Sequence, residues 1–388
     1  MGNLKIGTAK VNITPPLGCQ MAGYSARDRG SETISDALYS KALVFDDGQT
    51  QAAIITNDLI GLQSSFVDRV RLMIEDAIGI PGNHVMISCS HTHFGPEVRA
   101  TRLHPPVNVY PDFLAQQLTT VTQLAQQRLQ SARVGVNTGT ADNVSYNRHT
   151  IRPDGKAITS FRRPGPDSDL TFGPYDPTLQ VLRVDDAEGN FIASLIHFAC
   201  HPVTTTDRMY TISADYPGYA MAVVEKQEGG LCLFGLGCAG NIVPIQREGK
   251  FPRMIGRTIG GEAIKVLQWT ETTDDVELKI AHQKLSLELR NAVNGETTEE
   301  VELQCIAIGS MYFIGLPGEI FVEIGFDIVN RAHPDNLFVM SMTNGSIGYI
   351  PIEIAYEQGG YESGASRFRP GCGEQVADAA VELLNEME

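Results

Sequence analysis

Strand-length apolar runs alternate with stretches of helical periodicity over most of the chain, and this alternation most narrows its possible folds. Runs at Ser40–Phe45, Gln51–Thr56, His84–Ser88, Leu179–Val184, Phe191–Cys200, Leu231–Phe234, Val301–Ile308 and Met311–Ile314 read as strands. Helical spacing appears at Ser65–Ala77, Pro111–Leu129, Asp215–Lys226, Pro252–Trp269, Glu319–Arg331 and Gly373–Met387. Pro111 suits a first helical turn, and Asp215 can cap a helix that opens on Tyr216-Pro217. Mixed elements of this kind predict an α/β fold, a layered mixed β-sheet core flanked by helices, rather than a pure β sandwich. No repeat, low-complexity tract or long Ser/Gly linker divides residues 1–388, so a single domain is expected. Irregular stretches are expected at Pro15–Gly18, Arg99–Pro106 and Arg152–Pro177. The last, with five prolines, reads as a long surface loop of the functional or mobile kind.

Composition removes several function classes. Thirty Lys and Arg against 46 Asp and Glu leave a formal charge of −16. That field opposes nucleic acid and anionic lipid headgroups, so neither is expected as a partner. No run of about 18 apolar residues occurs, and Met1-Gly2-Asn3-Leu4-Lys5 does not begin a signal peptide. A cytoplasmic protein without stable membrane insertion is the expectation. Seven cysteines, an odd number with no C-x-x-C pair, point to reduced and mostly buried thiols.

Chemistry gathers where three apolar runs end. His84–Cys89 leads into Ser90-His91-Thr92-His93, Leu195–Cys200 leads into His201-Pro202, and Tyr312–Leu316 leads into Pro317-Gly318-Glu319. The carboxyl ends of strands line the binding crevice of open α/β sheets, so these three ends can meet. Two His and one carboxylate with an open position form a catalytic zinc ligand set. Residues two apart share a side of an extended chain, so His93 would face the same cavity as His91. His-x-His alone is a weak motif and equally describes a satisfied polar pair at a strand end. His197, inside its run, reads as a core histidine.

His91-Thr92-His93-Phe94-Gly95-Pro96 resembles the His-Thr-His-Ser-Gly-Pro segment of the neutral, non-lysosomal ceramidases. Phe191–Thr205 is similar to that family's second histidine segment, and Leu316-Pro317-Gly318-Glu319 to its Pro-Gly-Glu segment. Thr343–Arg367, with Tyr349 and Tyr361-Glu362-Ser363-Gly364-Ala365-Ser366, resembles its tyrosine segment. Asn147-Arg148 stands where the family has a substrate-binding Asn-Arg pair. The match keeps chain order from Gly7-Thr8-Ala9 to about residue 370. The resemblance implies Zn2+ held by His91, His201, Glu319 and Tyr349, with Tyr349 resting on the family alone. It implies amide hydrolysis with His93 passing protons to the leaving amine. Arg148 would hold the tetrahedral oxyanion or a substrate carboxylate.

Departures from the pattern are as informative. Gly240-Asn241-Ile242-Val243-Pro244 places Val243 where the family has a serine, so steps needing that hydroxyl are absent. The chain stops at 388, which leads us to expect no C-terminal immunoglobulin-like domain and a smaller or more polar amide than ceramide. Gly235-x-Gly237-x-x-Gly240 formally fits a dinucleotide fingerprint, but Pro244 stands where the helix should begin. Backbone N–H groups of Gly237–Asn241 facing an oxyanion fit the segment better, which makes Asn241 a candidate catalytic position. Cys238 reads as a buried or loop thiol. Asp58 and Asp215 are candidates for orienting the metal-bound imidazoles, with a turn carboxylate and a helix cap as plainer alternatives. Taken together, these features predict a zinc-dependent hydrolase of a small-molecule N-acyl amide. The alternatives are a metal-dependent esterase and a non-catalytic ligand-binding relative.

Overall fold

In the computed structural model, which describes residues 3–98 and 110–387, two β-sheets lie face to face and helices cover both outer faces. The larger sheet has eight strands in the order Leu231–Leu236, Phe191–Phe198, Thr178–Asp186, Gln130–Thr140, Lys5–Asn12, Tyr39–Asp46, Gln51–Asn57, Val85–Cys89. Its two edge pairs are parallel and its interior is antiparallel. The smaller sheet runs Leu278–Val293, Glu296–Ile308, Met311–Gly315, Asn336–Met340. The mixed, helix-flanked α/β architecture expected from the alternation is therefore present.

Strands buried on both faces explain the near-continuous apolar runs. In Tyr39–Asp46, Leu43 and Phe45 point between the sheets while Ala42 and Val44 point at helices. The inter-sheet layer joins Ile6, Phe45, Ile54 and Leu195 to Ile306, Phe313 and Phe338, the last two rings stacked 4.4 Å apart. Helices Ser64–Ile78, Tyr110–Gln126, Asp215–Glu228 and Phe251–Gln268 cover the large sheet. Val322–Arg331 and Cys372–Asn385 cover the small one.

Several sequence expectations change. The helix expected from Glu319 begins at Val322, because Glu319–Ile320 instead forms a two-residue strand parallel to Tyr349–Ile350. Arg152–Pro177 is not wholly loop: Ala157–Thr159 and Thr171–Phe172 flank His149–Ile151 in a three-stranded sheet. The loop expected at 99–106 lies outside the described residues. All seven cysteines are buried and unpaired, as anticipated. No helix among the described residues is long and apolar enough to cross a membrane.

One segment controls how the sheet tips meet. The backbone N–H of Ser341 donates to Leu236 O at 2.8 Å on one edge of the large sheet. On the other edge, Cys89 N donates to Met342 O (3.1 Å), and Asn344 N donates to Ile87 O (2.8 Å). The Asn344 side chain accepts from Ile87 N at 2.9 Å and donates to Gln304 Oε1 at 2.7 Å. Residues 341–344 thus clasp both edges of a strongly curled sheet. Asn344 sits at φ 58°, a region asparagine tolerates better than most residues. Asn344→Ala leaves a buried N–H without an acceptor and places Cβ-bearing alanine in left-handed backbone. A loss of roughly 2–4 kcal/mol is expected, read as a lower urea midpoint at unchanged slope. A shift worth under about 0.5 kcal/mol, typical of an unimportant surface position, would show that the clasp does not depend on this side chain.

Candidate metal centre

The clasp brings together the tip beyond Val85–Cys89 and the tip beyond Phe191–Phe198. His91 stands in left-handed backbone at φ 68°. Its N–H donates to Leu59 O at 2.9 Å, and its ring Nδ1 lies 2.6 Å from Ile60 O. His201 is placed the same way, with N–H to Ile242 O at 3.0 Å and Nδ1 2.5 Å from Ala239 O. A carbonyl only accepts, so both Nδ1 atoms carry the proton, and in the neutral rings both Nε2 atoms expose a lone pair. Those two Nε2 atoms face each other at 3.2 Å.

Three more groups surround this point. His93 Nε2 is 3.3 Å from His91 Nε2. Glu319 Oε2 is 3.1 Å from His201 Nε2 and 3.4 Å from His91 Nε2. Tyr349 is the direct register partner of Glu319, and its hydroxyl accepts from Arg148 Nη2 at 3.1 Å. Four ligands about 2.05 Å from a tetrahedral zinc lie about 3.3 Å apart, close to the separations seen here. Buried lone pairs facing one another repel, and a shared cation removes that conflict. The donor set therefore fits a metal ion on chemistry as well as distance. His91, His93 and His201 form a group that could hold one, their ligand atoms all within 4.8 Å. Glu319 forms a second set with His91 and His201, and His93 lines the cavity beside it.

Electrostatics follow from burial. His201 is pulled down to about 4 by burial and then by Arg148. Burial, followed by the neighbouring His91 and His201, holds His93 well below the ordinary histidine range. Burial alone would raise Glu319, but His91 and His201 outweigh it and hold the carboxyl well below its usual range. Tyr349 is pushed well up by burial and by the Glu319 charge.

Arg148 follows the short strand Ser145–Asn147, which pairs with Ile242–Pro244. Its Nε donates to Glu362 at 2.6 Å and its Nη2 to Gly240 O at 3.0 Å. Glu362 is fully buried and also accepts from Thr159 Oγ1 at 2.9 Å. Glu362 lies in the tyrosine segment, where the sequence alone assigns it no role. It fixes the arginine and neutralises its charge.

The glycine-rich loop serves backbone contact. Gly237 N donates to Phe198 O and Gly240 N to Ile320 O, so both amides are used within the fold. A Cβ on Gly240 would lie 2.4 Å from Glu319 O, so only glycine lets the loop pass there. Asn241 braces this loop: its Nδ2 donates to Glu323 at 2.8 Å and its Oδ1 accepts from Val322 N at 3.0 Å. Its side chain is thus committed to the start of Val322–Arg331. No helix follows the loop, which removes the dinucleotide fingerprint. Burial pushes the Cys238 thiol up to about 12, against a nucleophilic role. Val243 is fully buried and packs with Tyr146, Val203 and Tyr24.

The two candidate aspartates do not touch the imidazoles, which backbone carbonyls orient instead. Asp215 turns its carboxylate back onto Thr204 and Thr205, accepting from their N–H and hydroxyl groups, and so ties down the segment after His201. Asp58 accepts from Tyr39 N at 2.8 Å. His197 is a core residue, its Nε2 3.0 Å from Val339 O.

A cavity of about 890 Å³ opens onto the centre, lined by His93, Glu319, Arg148 and Tyr349 with Phe161 and Tyr361. Comparisons with known proteins add the following. The model of the neutral/alkaline non-lysosomal ceramidase N-terminal family matches residues 4–233. The neutral ceramidase of Pseudomonas aeruginosa is 24% identical over 260 residues, covering 62% of this chain and 37% of that protein. That of Mycobacterium tuberculosis is 26% identical over 254 residues, covering 58% and 36%. The matched part is therefore about a third of these relatives' length. The crystal structure of the Pseudomonas aeruginosa neutral ceramidase superposes with a TM-score of 0.83 at 18% identity, over 99% of this chain and 74% of that one. A ceramidase complexed with C2 gives 0.82 at 17% identity, over 99% and 75%.

Metal analysis of the purified protein tests the centre. His91→Ala and His201→Ala should each drop zinc occupancy at least tenfold after dialysis against trace metal, while His93→Ala should retain it. Loss of metal in the His93 variant would make the three-histidine set the correct one. Asp58 supplies a separate check. Burial raises its carboxyl from 3.8 to about 7, so the folded state holds the proton more tightly than the unfolded chain. The resulting stability is present below about pH 4 and is lost as pH rises towards 7. Asp58→Asn should flatten stability between those values, and an unchanged slope in pH-dependent thermal melts would refute it.

Proposed function

The chain belongs to the neutral/alkaline non-lysosomal ceramidase family, and from that premise we propose that it hydrolyses a C–N amide bond of an N-acyl amine. The proposed ligands are His91, His201, Glu319 and Tyr349, with zinc as the ion. The observation that carries this reading is the meeting of His91 Nε2, His201 Nε2 and Glu319 Oε2 within 3.1–3.4 Å at the base of a substrate-sized cavity.

A divalent cation held there polarises an amide carbonyl and lowers the pKa of water to about 7. The protein's own groups supply the rest. His93, kept neutral at physiological pH by its surroundings, accepts a proton and delivers it to the departing amine nitrogen. Arg148, fixed by Glu362 and Gly240 O, presents guanidinium N–H donors where negative charge develops on the carbonyl oxygen. Tyr349, hydrogen-bonded to Arg148 and paired with Glu319, couples the arginine to the metal position. Since Val243 cannot donate or accept a proton, no step passes through the place where the resemblance expects a serine.

Esters answer to the same arrangement, so a panel of N-acyl amides and matched esters separates the two hydrolase readings. We expect amide cleavage to fall at least a hundredfold with chelator and to return with zinc. Equal zinc content with no turnover of any panel member would favour the ligand-binding alternative, which Val243 motivates. Cleavage confined to esters would favour the esterase.

A further inference from the structure

The cavity that opens on the metal centre carries three carboxylates, Asp28, Glu97 and Glu319, in a chain whose formal charge is −16. Four arginines line it: Arg27, Arg29, Arg148 and Arg247. Three of them are spoken for. Arg27 donates to Met209 O, Ala22 O and His93 O. Arg29 pairs with Asp28 and Glu32 on the surface. Arg148 is neutralised by Glu362.

Arg247 is the exception. Its Nε and Nη2 atoms are buried and have no hydrogen-bond partner among the described residues. The same is true of the Tyr24 hydroxyl and of His93 Nδ1, both on residues that line the same cavity. Tyr24 and His93 pack edge to face, ring centroids 5.2 Å apart. Gly23, before Tyr24, leaves this wall room: a Cβ there would come within 2.7 Å of the His93 ring. Burial pulls Arg247 below the usual guanidinium range, with the nearby Arg148 charge acting in the same direction. The segment 99–109 carries no Asp or Glu in its sequence that could answer this charge. Buried donors are costly to leave unmade, and the common answer to guanidinium donors is an anionic acceptor in the cavity.

We propose that Arg247, with the Tyr24 hydroxyl beside it, forms a subsite for an oxyanion on the substrate, so the preferred amide carries a carboxylate or phosphate close to the scissile bond. This rests on the amide-hydrolase reading above and narrows it from any N-acyl amine to an acidic one. The apolar packing of Val243 with Tyr24, Tyr146 and Val203 fits the assignment. Val243 itself offers no hydroxyl for a neutral alcohol headgroup, and Arg247 stands four residues further along the chain.

The test uses three matched pairs on the zinc-loaded protein. They are N-hexanoylglycine against N-hexanoylglycinamide, N-hexylsuccinamate against N-hexylsuccinamide, and N-hexanoyl-O-phosphoethanolamine against N-hexanoylethanolamine. The first two place a carboxylate on the amine or acyl side, and the third replaces carboxylate by phosphate. In the native protein the anionic member of at least one pair should lead in kcat/KM by about thirtyfold, as expected for charge-assisted hydrogen bonds. In Arg247→Gln that ratio should fall to within about threefold of unity, through KM rather than kcat. Arg247→Lys should restore part of it. A native ratio near one in all pairs, or a ratio that survives Arg247→Gln, overturns the subsite while leaving the hydrolase intact. Should no amide be cleaved, calorimetric titration decides the two separately. An anionic member binding the native protein and not Arg247→Gln sustains the subsite and sinks the hydrolase, and no selective binding overturns the subsite as well.

Discussion

Two imidazole nitrogens, each stripped of its proton by a backbone carbonyl on the other side of the ring, face one another across 3.2 Å. That arrangement is repulsive in isolation, yet the fold spends considerable structure on keeping it. His91 occupies left-handed backbone, and Gly240 is squeezed against Glu319 O. Backbone strain of this sort persists only where its surroundings over-determine it, and it concentrates at functional positions. A cation shared with Glu319 would turn the conflict into attraction. The rest of the molecule is intelligible as scaffolding for that point. It also explains why carbonyls, rather than the candidate aspartates, hold the rings: a carbonyl fixes the tautomer without adding negative charge beside an already buried carboxylate.

The three tips reach one place because the large sheet curls and residues 341–344 lock its two edges. In a flat sheet of eight strands, neighbours about 4.8 Å apart would place the edge strands some 30 Å from one another. Hydrogen bonds from Ser341 to Leu236 and from Asn344 to Ile87 remove that distance. The chain leaving the smaller sheet supplies Glu319 through a two-residue strand that pairs with the one carrying Tyr349. A second layer packed against the first is therefore a geometric requirement of the site.

Much of this was legible from the letters, and what was not has identifiable causes. The apolar runs match their strands to within two residues where burial on both faces leaves no polar interruption to misread, but Val301–Ile308 misses the exposed polar start of its strand at Glu296. Lys5–Asn12 and Gln130–Thr140 escaped, since alternate polar residues and glycine weaken their pattern. The helix expected from Glu319 started too early because periodicity cannot see that Glu319 N bonds Gly348 O across a sequence gap. His91, His201 and Glu319 could be named from strand-end logic. Glu362 could not, because a buried carboxylate partner of an arginine 214 positions away leaves no local signature. Arg247 escaped for a related reason: only the packed structure reveals that its donors are buried and unanswered.

An acidic chain around a cavity that holds an arginine with unanswered donors is not a contradiction once distance is considered. Surface carboxylates act on an approaching anion through solvent, and at physiological ionic strength their influence fades over about 8 Å. Within the cavity, a guanidinium meets its partner at contact, where water is displaced and the interaction is several times stronger. The outer charge thus discourages polyanions and anionic membranes, whose many charges add up over a broad surface. It scarcely penalises a small molecule bearing one acidic group. A site built this way selects against large anionic surfaces and in favour of single anions that fit. That pattern matches a cavity holding an Arg148 paired with Glu362 and an Arg247 whose buried Nε and Nη2 have no partner among the described residues.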